Sequence, residues 1–217
     1  MLTQTALLRR LEEEGYPTSW YQLRLFRDAG IVPEPEGARY PEEAVERVKT
    51  AHRLAREGVR SLARRTLRMY VFGYQFSPEL VLKALRWVAG KMKRKQPRRK
   101  LKTIAGALDE IAEHSRKQTQ HVWPVGQQGD KRKRWSDIAR TLDVRRWQRL
   151  LDRATPRELT DGEFGLLRYA LTQVRVFPSW GATLEKIPAE EQLLLLFVLW
   201  LERKARTEKA ARKEALS

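Results

Sequence analysis

A mainly α protein is the fold class this sequence predicts: an N-terminal winged helix-turn-helix with a small β-wing, followed by a helical C-terminal region. Three observations lead there. Apolar residues recur at helical rather than strand spacing over most of the 217 residues. Residues 22–33, QLRLFRDAGIVP, read as the end of a short helix stopped by Gly30 and Pro33. A loop with Pro35 and Gly37 follows, then Arg39-Tyr40 and a new helix start, and few strand signals occur outside this loop.

The first helix runs from about Thr5 to Glu14, with Leu7, Leu8 and Leu11 as its apolar stripe and Gly15 at its C-terminal cap. Tyr16-Pro17 makes the turn, and Thr18 or Ser19 caps a second helix that ends near Ala29. Trp20, Leu23 and Phe26 are read as packing against the first helix. Residues 31–40 form a loop or small wing. Pro41, Glu42 and Glu43 open a third helix, where acidic groups suit the N-terminal dipole, and Val45, Val48, Ala51, Leu54 and Ala55 line one face up to Gly58. A shorter helix spans Ser61–Tyr70, and VFGYQF (71–76) is an aromatic connector. Ser77-Pro78-Glu79 starts the next helix, with Leu80, Leu82, Leu85, Trp87 and Val88.

Thr103–Glu113 reads as a helix with Ile104, Leu108, Ile111 and Ala112 on one face. Residues 115–133 have little periodicity and read as a loop or hinge. The organisation expected is therefore 1–62 winged helix-turn-helix, 63–114 basic helical connector, 115–133 hinge and 134–217 C-terminal helical domain. Ser136–Leu142 and Val144–Arg153 are short helices, and Thr160-Asp161-Gly162-Glu163 has the form of a capping box opening a helix to about Val174. The last helix starts at Pro188 and runs to about Ala211. Its centre, Leu193–Leu201, is apolar all round, which places it in a core or at a dimer interface.

The chain is strongly basic, with 44 Lys/Arg against 27 Asp/Glu and a net charge of +17. Such a balance points to a polyanionic partner, nucleic acid first and an acidic membrane surface second. The charge is uneven: residues 1–62 are net zero, 63–85 net +3, 86–149 net +13 and 150–217 net +1. The run Lys91–Lys102 is either a solvated or linker segment broken by Pro97 or a phosphate-binding segment, with Lys93, Arg94, Arg98 and Arg99 as the candidate contacts. The chain has no cysteine, which excludes disulfides, thiol catalysis and thiolate metal sites. The three histidines, His52, His114 and His121, are too few for the usual zinc sites. No asparagine is present, and with abundant Arg and Glu this fits a thermophilic source. The longest apolar run is nine residues where a membrane span needs about 20. The N-terminus carries charges too early for a signal peptide, so the expectation is a cytoplasmic, nucleoid-associated protein with no membrane partner.

The first 62 residues resemble the DNA-binding domain of the MerR family, whose recognition helix and following residues run roughly T-L-R-Y-Y-E-R-E-G-L-L-P. Here Leu23, Arg24, Gly30 and Pro33 match outright, and Phe26, Ile31 and Val32 are conservative. Ala38-Arg39-Tyr40-Pro41-Glu42-Glu43-Ala44-Val45 is similar to the family's wing end and following helix start, one residue shorter, and Gly58 with Ser61-Leu62 stands near the family's closing Gly-Ser-Leu. The resemblance implies that Thr18, Ser19, Tyr21 and Gln22 face the major groove. Arg24 would hold a backbone phosphate with Arg27 nearby, and Arg39 and Tyr40 would contact the sugar-phosphate backbone from the wing. These roles suit the chemistry, because Arg forks onto phosphate oxygens and Gln pairs with an adenine edge. The chain departs from the family where a long coiled coil often follows, since an aromatic connector and a Pro-started helix stand there instead.

A second segment, Ser136-Asp137-Ile138-Ala139-Arg140-Thr141-Leu142-Asp143-Val144, reads like the first half of another helix-turn-helix, with Asp143 where Gly is usual. Residues 145–151 then form either a recognition helix with Arg145, Arg146 and Arg149 outward and Trp147, Leu150 and Leu151 inward, or an ordinary core helix with a basic face. No nucleophile elbow, P-loop or metal triad occurs, so no enzymatic activity and no cofactor is expected. The function expected is sequence-selective binding of double-stranded DNA by a transcriptional regulator, as a homo-oligomer with a dimer favoured. The alternatives are a DNA-architecture, recombination or packaging accessory protein of a mobile element, or a module binding RNA polymerase or RNA.

Overall fold

The computed structural model describes residues 1–92, 97–118, 134–173 and 178–216, with backbone alone at Pro97, residues 115–118, Gln173 and residues 178–180. The described residues are mainly helical, and their chain divides into two compact units, Met1–Trp87 and Val88–Ser217.

The first unit holds β1 (Leu2–Thr3), α1 (Gln4–Glu13), α2 (Trp20–Asp28), β2 (Arg39–Tyr40), α3 (Glu43–Arg56), α4 (Leu62–Val71) and the first turns of α5 (Pro78–Lys91). The strands pair antiparallel, Leu2 opposite Tyr40 and Thr3 opposite Arg39. Leu7 and Leu11 of α1, Leu23 and Phe26 of α2, and Val45, Val48, Ala51 and Leu54 of α3 meet in one apolar core, as their periodicity required. The chain turns sharply after α2 at Gly30 (φ +68°), where the N–H of Ile31 donates to the Phe26 carbonyl at 2.8 Å.

This unit extends well past residue 62, the boundary the sequence suggests. Met69 of α4 joins the core, and the Thr66 hydroxyl donates to the Ala29 carbonyl at 3.2 Å. The aromatic connector is held by α3. Buried Arg47 donates to the Gln75 carbonyl at 2.9 Å, with its guanidinium 5.7 Å from the Tyr74 ring centre and 5.5 Å from that of Phe76. Thr50 and the Tyr74 hydroxyl bond at 2.9 Å. A cation held between two rings contributes on the order of 1 kcal/mol per ring, enough to fix a six-residue connector that has little periodicity of its own.

The second unit is built on α6 (Pro97–Gln118), α7 (Trp135–Thr141), α8 (Val144–Arg153), α9 (Pro156–Leu159), α10 (Gly162–Gln173), α11 (Pro178–Leu184) and α12 (Ala189–Glu214). Leu193–Leu201 of α12 is buried throughout, enclosed by α6, α7, α8 and α10. The sequence leaves open a core or a dimer interface for this segment; it is the core of its own unit. Phe164, Phe197 and Trp200 cluster there, with centroids 5.0–5.9 Å apart.

Three local expectations change. Pro97 opens α6 instead of breaking the basic run, because a first-turn residue needs no intrahelical N–H partner. The capping box lies at Thr155 and Glu158 of α9, where the Thr155 N–H donates to Glu158 Oε2 at 2.8 Å. Thr160 turns its hydroxyl to the Arg157 carbonyl, and Asp161 caps α10 by accepting from the Glu163 N–H at 2.9 Å. The short helices α9 and α11 carry too little periodicity to be read in advance. Residues 115–118, expected to begin the hinge, continue α6, and residues 119–133 lie outside the described residues.

Candidate nucleic-acid interface

The start of α2 is fixed by a reciprocal cap. The Gln22 N–H donates to Ser19 Oγ at 3.1 Å, and the Ser19 N–H donates to Gln22 Oε1 at 2.9 Å. Both side chains are exposed, and each has one hydrogen-bonding group in use. The Gln22 amide nitrogen remains outward, while its oxygen is shared with the cap, so pairing with an adenine edge would use the second lone pair of that oxygen. Thr18 is turned inward instead. Its hydroxyl donates to the Tyr16 carbonyl at 2.9 Å, so the 3.0 Å contact with His52 Nε2 has the imidazole N–H as donor. Thr18 therefore orients the turn, and its hydroxyl is not presented to a groove.

Trp20, expected in the core, is 56% exposed, and Tyr21 is 62% exposed. Trp20, Tyr21, Arg24 and Asp28 share the outward face of α2 by helical spacing, opposite Leu23 and Phe26. The Arg24 guanidinium lies 6.0 Å from the Trp20 ring centre, at the outer limit of a cation–π contact. Arg27 is half-buried on the flank. Between α1 and the start of α2 lies an open cleft of about 590 Å³, lined by Arg9, Pro17, Ser19 and Gln22 among others.

After α2, Glu36 and Arg39 pair across Gly37-Ala38 in a tight hairpin, with N–H···O contacts of 2.9 and 3.2 Å. Side chains alternate along β2, so Arg39 is exposed while Tyr40 is 4% exposed and belongs to the core. The backbone-contacting role expected of Tyr40 gives way to packing; Arg39 keeps its outward position.

The second unit carries most of the charge. Residues 1–87 hold 15 Lys/Arg against 11 Asp/Glu, and residues 88–217 hold 29 against 16. Arg98 and Arg99 are exposed on the first turn of α6, whereas Lys100 is tied to Glu191 at 2.6 Å; Lys93 and Arg94 lie outside the described residues. On α8, Arg145 and Arg149 are exposed as expected. Arg146 is not available in the same way. Its Nε donates at 2.5 Å to Glu202, a carboxylate 1% exposed that also accepts from Arg206 at 2.7 Å. A buried carboxylate requires such cations, and sequence spacing alone gives no sign of this long-range partner.

The acidic pairs at helix starts are engaged structurally. Glu42 meets Arg10 at 2.6 Å and the N-terminal amine at 3.3 Å. Among the described residues, no group of three or more His, Asp or Glu is placed to hold a metal ion, and no helix is long and apolar enough to cross a membrane. His121 lies outside the described residues. No family model, no curated protein and no solved structure matches this chain.

Proposed function

We propose that this chain is a sequence-selective double-stranded DNA-binding protein, acting as a transcriptional regulator. α1, α2 and the Glu36–Arg39 hairpin act as a winged helix-turn-helix of the MerR type, and the basic second unit supplies backbone affinity. The observation that carries this reading is the outward face of α2. Trp20, Tyr21, Gln22 and Arg24 stand in solvent on a helix anchored from behind by Leu23 and Phe26 and capped at its start by Ser19. Exposing two adjacent aromatic rings costs solvation free energy that a partner surface would recover, and the neighbouring guanidinium suits a phosphate.

In this reading Arg24 and Arg39 position the duplex, and Tyr21 and Gln22 meet base edges, Tyr21 by apolar contact with a thymine methyl. The division of labour follows the charge: the first unit contributes selectivity, and the second, with its excess of 13 positive charges, contributes phosphate attraction. The test is fluorescence anisotropy on a duplex selected by the full chain. Arg24→Ala and Arg39→Ala should each weaken binding about tenfold and lower the salt slope by about one. Unchanged binding in both variants would overturn the winged-helix role.

A further inference from the structure

The α7–α8 pair makes a second exposed helix with the chemistry of a DNA contact. Its first helix is pinned at the start by Asp109, which accepts from the N–H groups of Trp135 (2.7 Å) and Ser136 (3.1 Å) and from the Ser136 hydroxyl (2.6 Å). Only Leu142 and Asp143 separate the helices, and Asp143 caps α8 by accepting from the Arg146 N–H at 2.7 Å. Trp147 and Leu151, each 1% exposed, anchor the inner face, and the Arg146–Glu202 pair ties the helix to α12.

The opposite face is left to solvent. Arg145, Gln148, Arg149 and Asp152 recur at i, i+3, i+4 and i+7, so they form one stripe. Arg145, Gln148 and Arg149 have no hydrogen-bond or ion-pair partner through their side chains among the described residues, although this unit is rich in acids that pair elsewhere. Beside the stripe lies an open cleft of about 730 Å³, lined by Arg98 of α6, by Arg145 and Gln148 of α8 and by the capping residue Asp143. Two guanidinium groups against one carboxylate, Asp143, leave this cleft net positive, which favours an anionic ligand. Arg and Gln one turn apart are also the side chains that pair with guanine and adenine edges in a major groove.

We infer that α8 is a second DNA-binding helix: Arg98 and Arg145 hold a backbone phosphate of the duplex, and Gln148 and Arg149 reach its base edges. This rests on duplex DNA being the ligand, as in the proposal above, but not on α2 being its reader. The chain is then bipartite, with one reading helix in each compact unit. The tight pairing of Arg146 with Glu202 holds α8 in place without using up the outward stripe.

The experiment is hydroxyl-radical footprinting, with anisotropy against salt, on duplexes selected from a random library by the full chain. Arg24→Ala and Arg39→Ala are compared with the combined Arg145→Ala, Gln148→Ala, Arg149→Ala variant and with Arg98→Ala. All four substituted α8 and α6 positions are exposed, and far-UV circular dichroism checks that the helices persist. The expected result is loss of one protected segment in the triple variant and of a different one in Arg24→Ala. Affinity should fall ten- to a hundredfold in the triple variant, and the salt slope should drop by about one for each phosphate that is no longer neutralised. If the triple variant keeps the footprint, affinity and slope while Arg24→Ala weakens binding, the α8 inference is overturned and the α2 proposal stands. If the triple variant loses binding while Arg24→Ala and Arg39→Ala do not, the inference stands and the α2 proposal is overturned. If the full chain enriches and protects no duplex, both are overturned.

Discussion

Gly30→Ala is the sharpest probe of how α2 is set in the first unit. Gly30 has φ +68°, in the left-handed region where an L-residue costs about 1–2 kcal/mol. A Cβ placed there would also lie 2.3 Å from Leu80 Cδ1, the end of a half-buried side chain, which must swing aside to admit it. Moving the half-buried Leu80 side chain off its rotamer costs about 0.5–1.5 kcal/mol, so the total loss expected is about 1.5–3.5 kcal/mol. Gly15→Ala is the control: φ is +81° but nothing lies within 4 Å of the new carbon, so only the backbone cost of about 1–2 kcal/mol applies. Alanine restricts the unfolded chain equally at both sites, and that contribution cancels in the comparison. Native-state hydrogen exchange at the buried α3 amides of Val48 and Ala51 reads the stability of this unit separately from the other. Equal destabilisation by the two substitutions would refute the packing of Leu80 against the end of α2.

Three further outcomes follow from the same structure. Burial, then the nearby charges of Arg65 and Arg56, hold the His52 pKa below the ordinary imidazole value; the neutral ring's contribution is therefore complete above about pH 6.5 and is lost as pH falls through the lower folded value. A pH series of thermal melts should show the first unit weakening below about pH 6.5, and His52→Gln should flatten that dependence; an identical slope in the variant would count against it. Around Glu202, Arg146→Ala combined with Arg206→Ala leaves a buried carboxylate without a cation and should cost about 3–5 kcal/mol. Glu202→Ala should cost less in urea unfolding, because the Arg146 and Arg206 side chains, 44% and 28% exposed, can rehydrate; the reverse order would contradict the assignment. Ser19→Ala removes one half of the α2 cap and should destabilise the first unit by about 1 kcal/mol, and Ser19→Asp should restore most of it, both read by exchange at α2 amides.

The sequence is most informative where one chemical signal decides the outcome. The stripes Leu7–Leu11 and Val45–Leu54, the Ser19 cap and the stop at Gly30 are local, and each stands where periodicity and capping chemistry put it. Trp20 departs from its expected burial because apolar character is not an angle: at 100° per residue it lies nearer Arg24 than the Leu23–Phe26 stripe, and so falls on the outward face of α2. Tyr40 departs from the role the family resemblance implies because its alternation with Arg39 turns it inward. The extension of the first unit to Trp87 depends on Arg47 reaching the Gln75 carbonyl, 28 residues away, and the removal of Arg146 from the outward set depends on Glu202, 56 residues away. Long-range pairs like these leave no mark in local spacing.

The most direct measurement for DNA reading by this chain is the ratio of its affinity for a library-selected duplex to its affinity for a scrambled duplex of equal length and composition, at fixed salt. A selective reader should favour its selected site by on the order of a thousandfold or more, with that ratio cut at least tenfold in Tyr21→Ala combined with Gln22→Ala, the pair assigned to base edges. A ratio near one, with both affinities falling steeply as salt rises, would mean that the chain's positive charge binds DNA without reading it.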